Sequence, residues 1–282
     1  MEHLSYAQFV AEAHKDETEY VLTERHGDYA IVRLNDPPSL NALSAPLSVQ
    51  LLDAVRELAQ DPAIRSVVLT GVDPAFSAGG DIRAMVQGVQ PMVAESPEGA
   101  TSMWRWIRYQ FGGVVRTITQ TDKAFIAAVN GACGGVAMAF ALACDIIIAS
   151  EKARFVTAFG RIGLVPELGT SWILTRRLGY QRVFELFVSG RPLSGEEAAR
   201  LGLVNEVVPH DDLMAKALEY CKQVAKLPEH ALVMSKPLLR AAADLTWEQA
   251  LTMEEFAEPA CFTTQAHKDA IAAFLEKRRE RE

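Results

Sequence analysis

A single carboxylate, Glu167, stands in an otherwise uncharged stretch of the chain, GLVPELGTSW, residues 163–172. Apolar surroundings disfavour the ionised form of a carboxylic acid, so burial raises its pKa and makes it a useful base near neutral pH. The same residue also fits the first turn of a helix, where Pro166 would take the first helical position and acidic residues are common. The stretch by itself leaves both interpretations open.

Two glycine-containing turns provide a second kind of candidate site. The segments AFSAGGDI and NGACGGVAMAF each follow a strand-like run and precede a helical one. Small residues let a ligand approach backbone amides, and a helix N-terminus favours developing negative charge. Together the two turns could form an oxyanion site, although such turns also occur in purely structural roles.

Other kinds of site find little support in the spacing. Neither turn contains the GxGxxG pattern of dinucleotide binding or the glycine-lysine-serine/threonine run of a phosphate loop. Ser77 does not lie in a GxSxG elbow, and the six histidines show neither metal-ligand nor triad spacing. We therefore expect no metal site and no serine nucleophile.

The composition describes a globular protein with an acidic surface. The chain has 282 residues, 49% of them hydrophobic, and a net charge of -8. This charge provides no basic field for a nucleic-acid or membrane partner. The longest apolar run, AFIAAVNGACGGVAMAFALAC, is broken by Asn130 and several glycines and fits strand, turn and helix better than a membrane span. Four cysteines without disulfide spacing and an N-terminus without signal features favour the cytoplasm.

Strands and helices alternate along most of the chain. YAIVRLN predicts a strand, apolar residues from Leu47 to Leu58 recur at helical spacing, and Ser66 to Thr70 predicts a second strand. FIAAVNG, VAMAFALA and DIIIA repeat this pattern, which favours parallel, buried strands. Beyond Pro166 the spacing predicts helices. Between Asp81 and Asp122 scattered glycines and prolines predict a mobile loop that leads into a helix.

The combination of these segments resembles the crotonase superfamily, the enoyl-CoA hydratase and isomerase family. The similarity begins near Thr23 and runs through SLNALS, AFSAGGDI, AAVNGACGGVAMAFALACDIIIASEKARF, RIGLVPELGTSW and GEEAARLGLVNEVV. It implies an α/β fold in which residues 21–208 form a crotonase-like spiral of ββα turns that binds acyl-CoA. Residues 209–282 would form a helical C-terminal trimerisation region, giving a homotrimer or hexamer, and residues 1–20 an N-terminal extension. Coenzyme A would be part of the substrate, with no separate cofactor.

The resemblance also assigns roles to the two turns and to Glu167. It implies that the amides of Ala78 and Val136 bind the thioester oxygen. A gap-free alignment puts Ala139 and Phe159 where hydratases carry their two catalytic glutamates, whereas Glu167 matches the acid of the isomerase branches. We therefore expect an acyl-CoA double-bond isomerase that moves a proton from C2 to C4 through Glu167. A hydratase, a ring-epoxide phenylacetyl-CoA isomerase and an inactive acyl-CoA-binding protein remain alternatives.

Contacts with the substrate follow from the same resemblance. The expected coenzyme A contacts are Ser39, Leu40, Ala78, Gly79, Gly80, Asp81, Ile82 and Gly135, together with Phe274 and Lys277 of a neighbouring subunit. The acyl pocket is expected to be lined by Met85, Met92, Trp104, Phe159, Leu164 and Trp172.

Overall fold

A computed structural model describes residues 5–95 and 98–279, without the side chains of residues 91, 92, 95 and 277. Its strands are β1 (Val21–His26), β2 (Tyr29–Leu34), β3 (Ser66–Gly71), β4 (Ala75–Ser77), β5 (Ala124–Val129), β6 (Ala132–Gly134), β7 (Ile146–Ser150), β8 (Arg154–Val156), β9 (Leu193–Ser194) and β10 (Glu206–Val208).

The helices surround these strands. They are α1 (Tyr6–Ala13), α2 (Ala45–Gln60), α3 (Ile82–Ala84), α4 (Gln90–Glu95), α5 (Ala100–Arg105), α6 (Gly112–Gln120), α7 (Val136–Ala143), α8 (Thr170–Leu178), α9 (Tyr180–Ser189), α10 (Gly195–Arg200), α11 (Leu213–Lys226), α12 (Glu229–Ala242), α13 (Trp247–Phe262) and α14 (Gln265–Arg279). None of the helices in the described residues is both long and apolar enough to cross a membrane.

Parallel pairing dominates the larger sheet, whose strand order is β1-β2-β3-β5-β7-β10. The β1-β2 pair is antiparallel, and the other neighbouring pairs are parallel. β3 and β5 are buried along their whole length because helices cover both faces of the sheet. On one face, Leu213 and Cys221 of α11 pack against Val68 and Ile148, while α2 and α7 contribute to the larger core on the other face.

A second, smaller sheet has the order β4-β6-β8-β9. β4 follows β3, β6 follows β5 and β8 follows β7, and a helix follows each of the first two pairs: α3 after β4 and α7 after β6. The chain therefore winds through repeated strand, strand and helix units, which confirms the predicted α/β spiral of ββα turns.

The region between β4 and β5 differs from the prediction of a mobile loop. Two π-helical turns, Met85–Val89 and Trp106–Phe111, join the short helices of this region into two longer helical segments. Gly88 lies inside the first π turn. Glycines and prolines indicated irregular structure here, but a π turn accommodates an extra residue without ending the helix.

The C-terminal helices are anchored to the core at one charged cluster. The ammonium of Lys236 on α12 donates to Asp145 Oδ2 and to the carbonyl of Ile118, each at 2.9 Å. Arg240 donates to the carbonyl of Ala143 and to Asp145 Oδ1, each at 2.6 Å. Beyond this cluster, α13 and α14 present large apolar side chains to solvent. They include Trp247, Phe256, Phe262, Ile271, Phe274 and Leu275.

Candidate active site

The segment AFSAGGDI is held by residues of the loop before α2. Asn41, which is fully buried, donates its side-chain amide to the carbonyls of Val72 at 2.8 Å and Ala75 at 2.7 Å. The amide of Leu43 donates to the carbonyl of Gly79 at 2.7 Å, so the same loop also fixes the far side of the turn. The backbone of AFSAGGDI is therefore pinned at both ends.

The amides of this turn differ in whether they are already used. The Ala78 amide donates to the carbonyl of Leu40 at 2.9 Å, and the Gly79 amide donates to Ser77 Oγ at 3.1 Å. The Gly80 amide has no acceptor among the residues that the structure describes. The prediction that the Ala78 amide donates to the thioester oxygen is therefore not supported, because this amide already donates to the carbonyl of Leu40. Gly80 is the residue of this turn with a free amide.

The second turn leads from β6 into α7. Gly135 has a positive φ of 50°, and its amide donates to the carbonyl of Val156 at 3.0 Å. Val136 is the first residue of α7, so its amide has no partner within the helix, and no described acceptor lies outside it. The positive end of the α7 dipole lies at the same position. The predicted role of the Val136 amide is compatible with this geometry.

The two turns meet backbone to backbone. A Cβ atom on Gly79 would lie 2.5 Å from the carbonyl oxygen of Gly134, and one on Gly134 would lie 2.7 Å from that of Ala78. Both distances are too short for any side chain, so the close approach requires glycine at both positions. The free amides of Gly80 and Val136 thus belong to two segments that share one rigid contact.

The positions that hydratases fill with glutamates are apolar and buried here. Ala139, on α7, is 1% exposed and Phe159 is 2% exposed. The Phe159 ring lies 3.8 Å from the Cβ position of Gly135. Phe159 was predicted to line the acyl pocket, and it does lie beside the second turn, where it forms an apolar wall.

Glu167 lies in the loop before α8 and not in the helix. α8 begins at Thr170 with Gly169 as its N-cap, and its first turn holds no acidic residue. The alternative of a first-turn acid is therefore wrong. Leu168 takes a left-handed conformation with φ 57°, unusual for a residue with a side chain, and its side chain packs against the core. This bend ends the loop directly after Glu167.

The electrostatic state of Glu167 follows from its burial. Its carboxylate has no hydrogen bond or ion pair with any residue that the structure describes, and burial raises its pKa to about 7. Nearly half of such groups would carry a proton at neutral pH, so the side chain can both accept and return one. α8, which follows the loop, packs on α7, and Leu164 at the start of the loop donates its amide to the carbonyl of Phe159 at 2.9 Å. The acid is thus carried by a loop that joins Phe159 to a helix packed on α7.

A small, partly open apolar cavity lies next to the first turn. Its volume is about 30 Å³, the space of one water molecule. The lining residues are Phe9, Leu43, Ala45, Gly80, Asp81, Ala84, Met85, Val89, Met103, Trp106 and Phe111. Met85 was predicted to line the acyl pocket, and its Cε lies 2.5 Å from the Cβ position of Gly80. Met85 therefore covers the turn with a flexible side chain.

Three other predicted pocket residues do not line this cavity. Trp104 is 54% exposed, with the Arg108 guanidinium 5.2 Å from its ring, and Trp106 takes its place in the cavity. Trp172 is half exposed, with Arg176 4.7 Å from its ring, and it lines a separate groove beside α12. Leu164 is exposed. The side chain of Met92 lies outside the described residues.

The residues expected to contact coenzyme A are distributed around the first turn and on α14. Leu40 and Ile82 are exposed apolar residues on either side of the turn. Ser39 donates to Asp36 at 2.5 Å, and Asp81 caps α3 by accepting from the amides of Arg83 and Ala84. Phe274 is exposed on α14, away from the first turn in sequence, and the side chain of Lys277 lies outside the described residues.

One constellation escaped the sequence analysis because its members are far apart in the chain. The His210 ring lies 3.1 Å from Ser150 Oγ and 3.1 Å from Asp73 Oδ2, in the order serine, histidine, aspartate. Ser150 has no exposed surface, and its hydroxyl also accepts from the amide of Lys152. A nucleophile must reach its substrate, so this network is a structural tie between β7 and the loop after β3.

Comparisons with known proteins show the family to which the chain belongs. The family model described as enoyl-CoA hydratase/isomerase matches residues 24–281. The chain is 33% identical to the probable mitochondrial enoyl-CoA hydratase of Dictyostelium discoideum, over 91% of this chain and 88% of that protein. It is 30% identical to the 1,2-epoxyphenylacetyl-CoA isomerase of Escherichia coli K12, over 92% and 97% of the two chains. A solved enoyl-CoA hydratase from Polaromonas sp. JS666 superimposes with a TM-score of 0.81 at 31% identity, covering 91% and 97%. The protein belongs to the enoyl-CoA hydratase/isomerase family of the crotonase superfamily.

Proposed function

We propose that the protein is an acyl-CoA double-bond isomerase that converts a 3-enoyl thioester into the 2-enoyl thioester. The observation that carries the proposal is the unpaired, part-buried carboxylate of Glu167 with a pKa of about 7. It stands in a site whose two hydratase positions hold Ala139 and Phe159. Isomerisation needs one group that takes a proton and gives it back, whereas hydration also needs a group that activates water.

In this mechanism the thioester oxygen accepts hydrogen bonds from the amides of Gly80 and Val136. Glu167 removes a proton from C2, and the electrons move into a dienolate whose negative charge rests on that oxygen. The protonated Glu167 then delivers the same proton to C4, which leaves the double bond between C2 and C3. Each preorganised donor is worth roughly 3 kcal/mol of barrier, and the reaction as written uses no metal or redox cofactor.

Isomerisation of a ring epoxide is a second candidate. Its support is the similarity to the 1,2-epoxyphenylacetyl-CoA isomerase of Escherichia coli. A single acid beside an enolate-stabilising site serves that reaction too. The small cavity next to Gly80 favours a compact acyl group but does not separate a ring from a short chain.

A panel of three thioesters tests the proposal: a 3-enoyl-CoA, a trans-2-enoyl-CoA and an aromatic ring-epoxide thioester. We expect rapid conversion of the first and a loss of roughly 10²–10⁴-fold in Glu167→Gln. Glu151→Gln, which alters an exposed glutamate on the turn after β7, serves as the matched control and should leave the rate unchanged.

Three outcomes would overturn the proposal. Hydration of the 2-enoyl thioester at a higher rate than isomerisation, unaffected by Glu167→Gln, would identify a hydratase. Coenzyme A binding without turnover on the whole panel would identify a binding protein. Conversion of the ring epoxide alone would select the second candidate.

We also propose that the chain forms a homotrimer or a hexamer through its C-terminal helices. The support is the row of exposed aromatic side chains on α13 and α14, including Trp247, Phe256 and Phe274, since apolar patches of this kind mark contact surfaces. Light scattering after size exclusion measures the mass directly. A monomer at micromolar concentration would contradict this assignment.

A further inference from the structure

We infer that α1 is the end wall of the acyl pocket and limits the length of the acyl group that the enzyme accepts. This inference rests on the proposed function, because it concerns the same substrate site. α1 lies before residue 24, where the match to the family model begins. The features that carry it are the packing of α1 and the position of one side chain, Phe9.

α1 is fixed to the body of the protein along its length. Its first turn has a capping box between Ser5 and Gln8, and the amide of Tyr6 donates to Glu98 at 3.4 Å. After its last turn, His14 contacts Asp53 of α2 at 2.9 Å. The helix packs on both α2 and α5. A helix held at both ends can act as a fixed wall.

Phe9 points from α1 into the cavity beside the first turn. Its ring meets that of Trp106 edge to face, with the centroids 5.0 Å apart, and it lies 3.5 Å from the Cβ position of Gly88. Phe9 and Gly80 line the same cavity. Gly80, whose amide is proposed to bind the thioester oxygen, and Phe9 of α1 therefore border the same small cavity.

The volume of this cavity limits the length of the acyl group. At about 30 Å³ it holds one water-sized group, so an acyl chain can enter only by displacing side chains. Met85 is unbranched and can move aside. Phe9 is held between Trp106 and the π turn that contains Gly88, so it remains as the barrier behind Met85. Short acyl groups fit after Met85 moves, and longer ones collide with Phe9.

The test compares chain-length profiles of the wild type and Phe9→Ala on 3-enoyl-CoAs of 6 to about 12 carbons. We expect kcat/KM for the longest substrate, relative to the shortest, to rise roughly tenfold or more, because a methylene accommodated in an apolar pocket is worth about that factor. Phe9→Leu should give an intermediate profile. Val10→Ala is the matched control: Val10 packs on the core from the same helix but does not line the cavity, so its profile should match the wild type.

A binding measurement separates this inference from the proposed function. Calorimetry with saturated acyl-CoAs of 4 to about 12 carbons needs no turnover and should show the same shift toward longer chains in Phe9→Ala. An unchanged profile in both the kinetic and the binding series would overturn the role of α1. Absence of isomerase turnover, with the binding shift retained, would overturn the proposed reaction and leave the wall in place.

Discussion

The two glycine turns and the Glu167 loop differ in how they are held: the turns by packed backbone, the loop by few contacts of its own. The turns are made of backbone, packed glycine against glycine and tied by Asn41. The loop is bounded by left-handed residues at Gly163 and Leu168 and carries exposed apolar side chains such as Val165. Its acid has no described hydrogen-bond partner.

This difference separates what members of the family can share from what each can change. Amide donors are a property of the fold, so they persist whatever side chains surround them. The proton-moving group is a side chain, and it can move from α7 or the Phe159 position to the loop without altering the turns. Under the proposed function, one pair of amide donors can therefore serve several reactions, with the number and placement of the carboxylates deciding between them.

The largest effect is expected at the contact between the two turns. Gly134→Ala adds a Cβ atom 2.7 Å from the carbonyl oxygen of Ala78. Because backbone must move, we expect a loss of about 1–3 kcal/mol in the free energy of unfolding and a fall of roughly 10²-fold in kcat from the displaced amides. Denaturant unfolding and initial rates measure these effects.

Gly27→Ala is the control for this change. Gly27 has a positive φ of 68°, and nothing lies within 4 Å of its Cβ position. It should lose some stability and keep its kcat. Equal kinetic losses in both variants would show that the contact between the turns has no special role.

The role of Glu167 in the loop is tested by the pH dependence of kcat/KM. We expect kcat/KM to rise about tenfold per pH unit below about 7 and to level off above it, because Glu167 must be ionised to accept a proton. A profile that is flat between pH 5 and pH 8 would exclude Glu167 as the base.

Glu167 also affects the stability of the folded protein, with a pH dependence opposite to that of kcat/KM. Burial raises its pKa in the folded state above the unfolded value, so its stabilising contribution is present at acid pH and is lost as the pH rises through about 7. Glu167→Gln should therefore melt higher than the wild type at pH 8 and closer to it at pH 5, as scanning calorimetry would show.

The smallest effect is expected at Val136, whose backbone amide, and not its side chain, is the proposed donor. Val136→Gly keeps the amide, so kcat should stay within about threefold of the wild type, although loss of a buried side chain and a glycine in α7 lower stability. Ala137→Gly, one residue further along the helix, isolates the glycine effect. A loss of kcat above about 100-fold in Val136→Gly alone would mean that the side chain, and not the amide, is required.

The strands and the two turns were predictable because their signals are local. Apolar runs such as FIAAVNG specify buried strands, and glycines mark the places where backbone segments approach each other. The free amide was not predictable from the sequence. The Ala78 amide donates to the carbonyl of Leu40, a residue distant in the chain, and no pattern inside AFSAGGDI indicates this hydrogen bond.

The helical segments beside the cavity show a second limit. Trp104 and Trp106 are two residues apart, so a helix directs them to different sides, and their order of burial depends on the helical register. The π turn at Trp106–Phe111 changes that register. Spacing rules assume 3.6 residues per turn, so they could not tell which tryptophan lines the cavity.

The charged cluster of Asp145, Lys236 and Arg240 contacts the C-terminal end of α7. Arg240 of α12 donates to the carbonyl of Ala143 in the last turn of α7, while Val136 lies at the opposite end, roughly 10 Å away along the axis. A cation at the negative end of a helix stabilises its dipole. The docking of α12 therefore stabilises the C-terminal end of the helix whose first residue, Val136, carries the proposed donor.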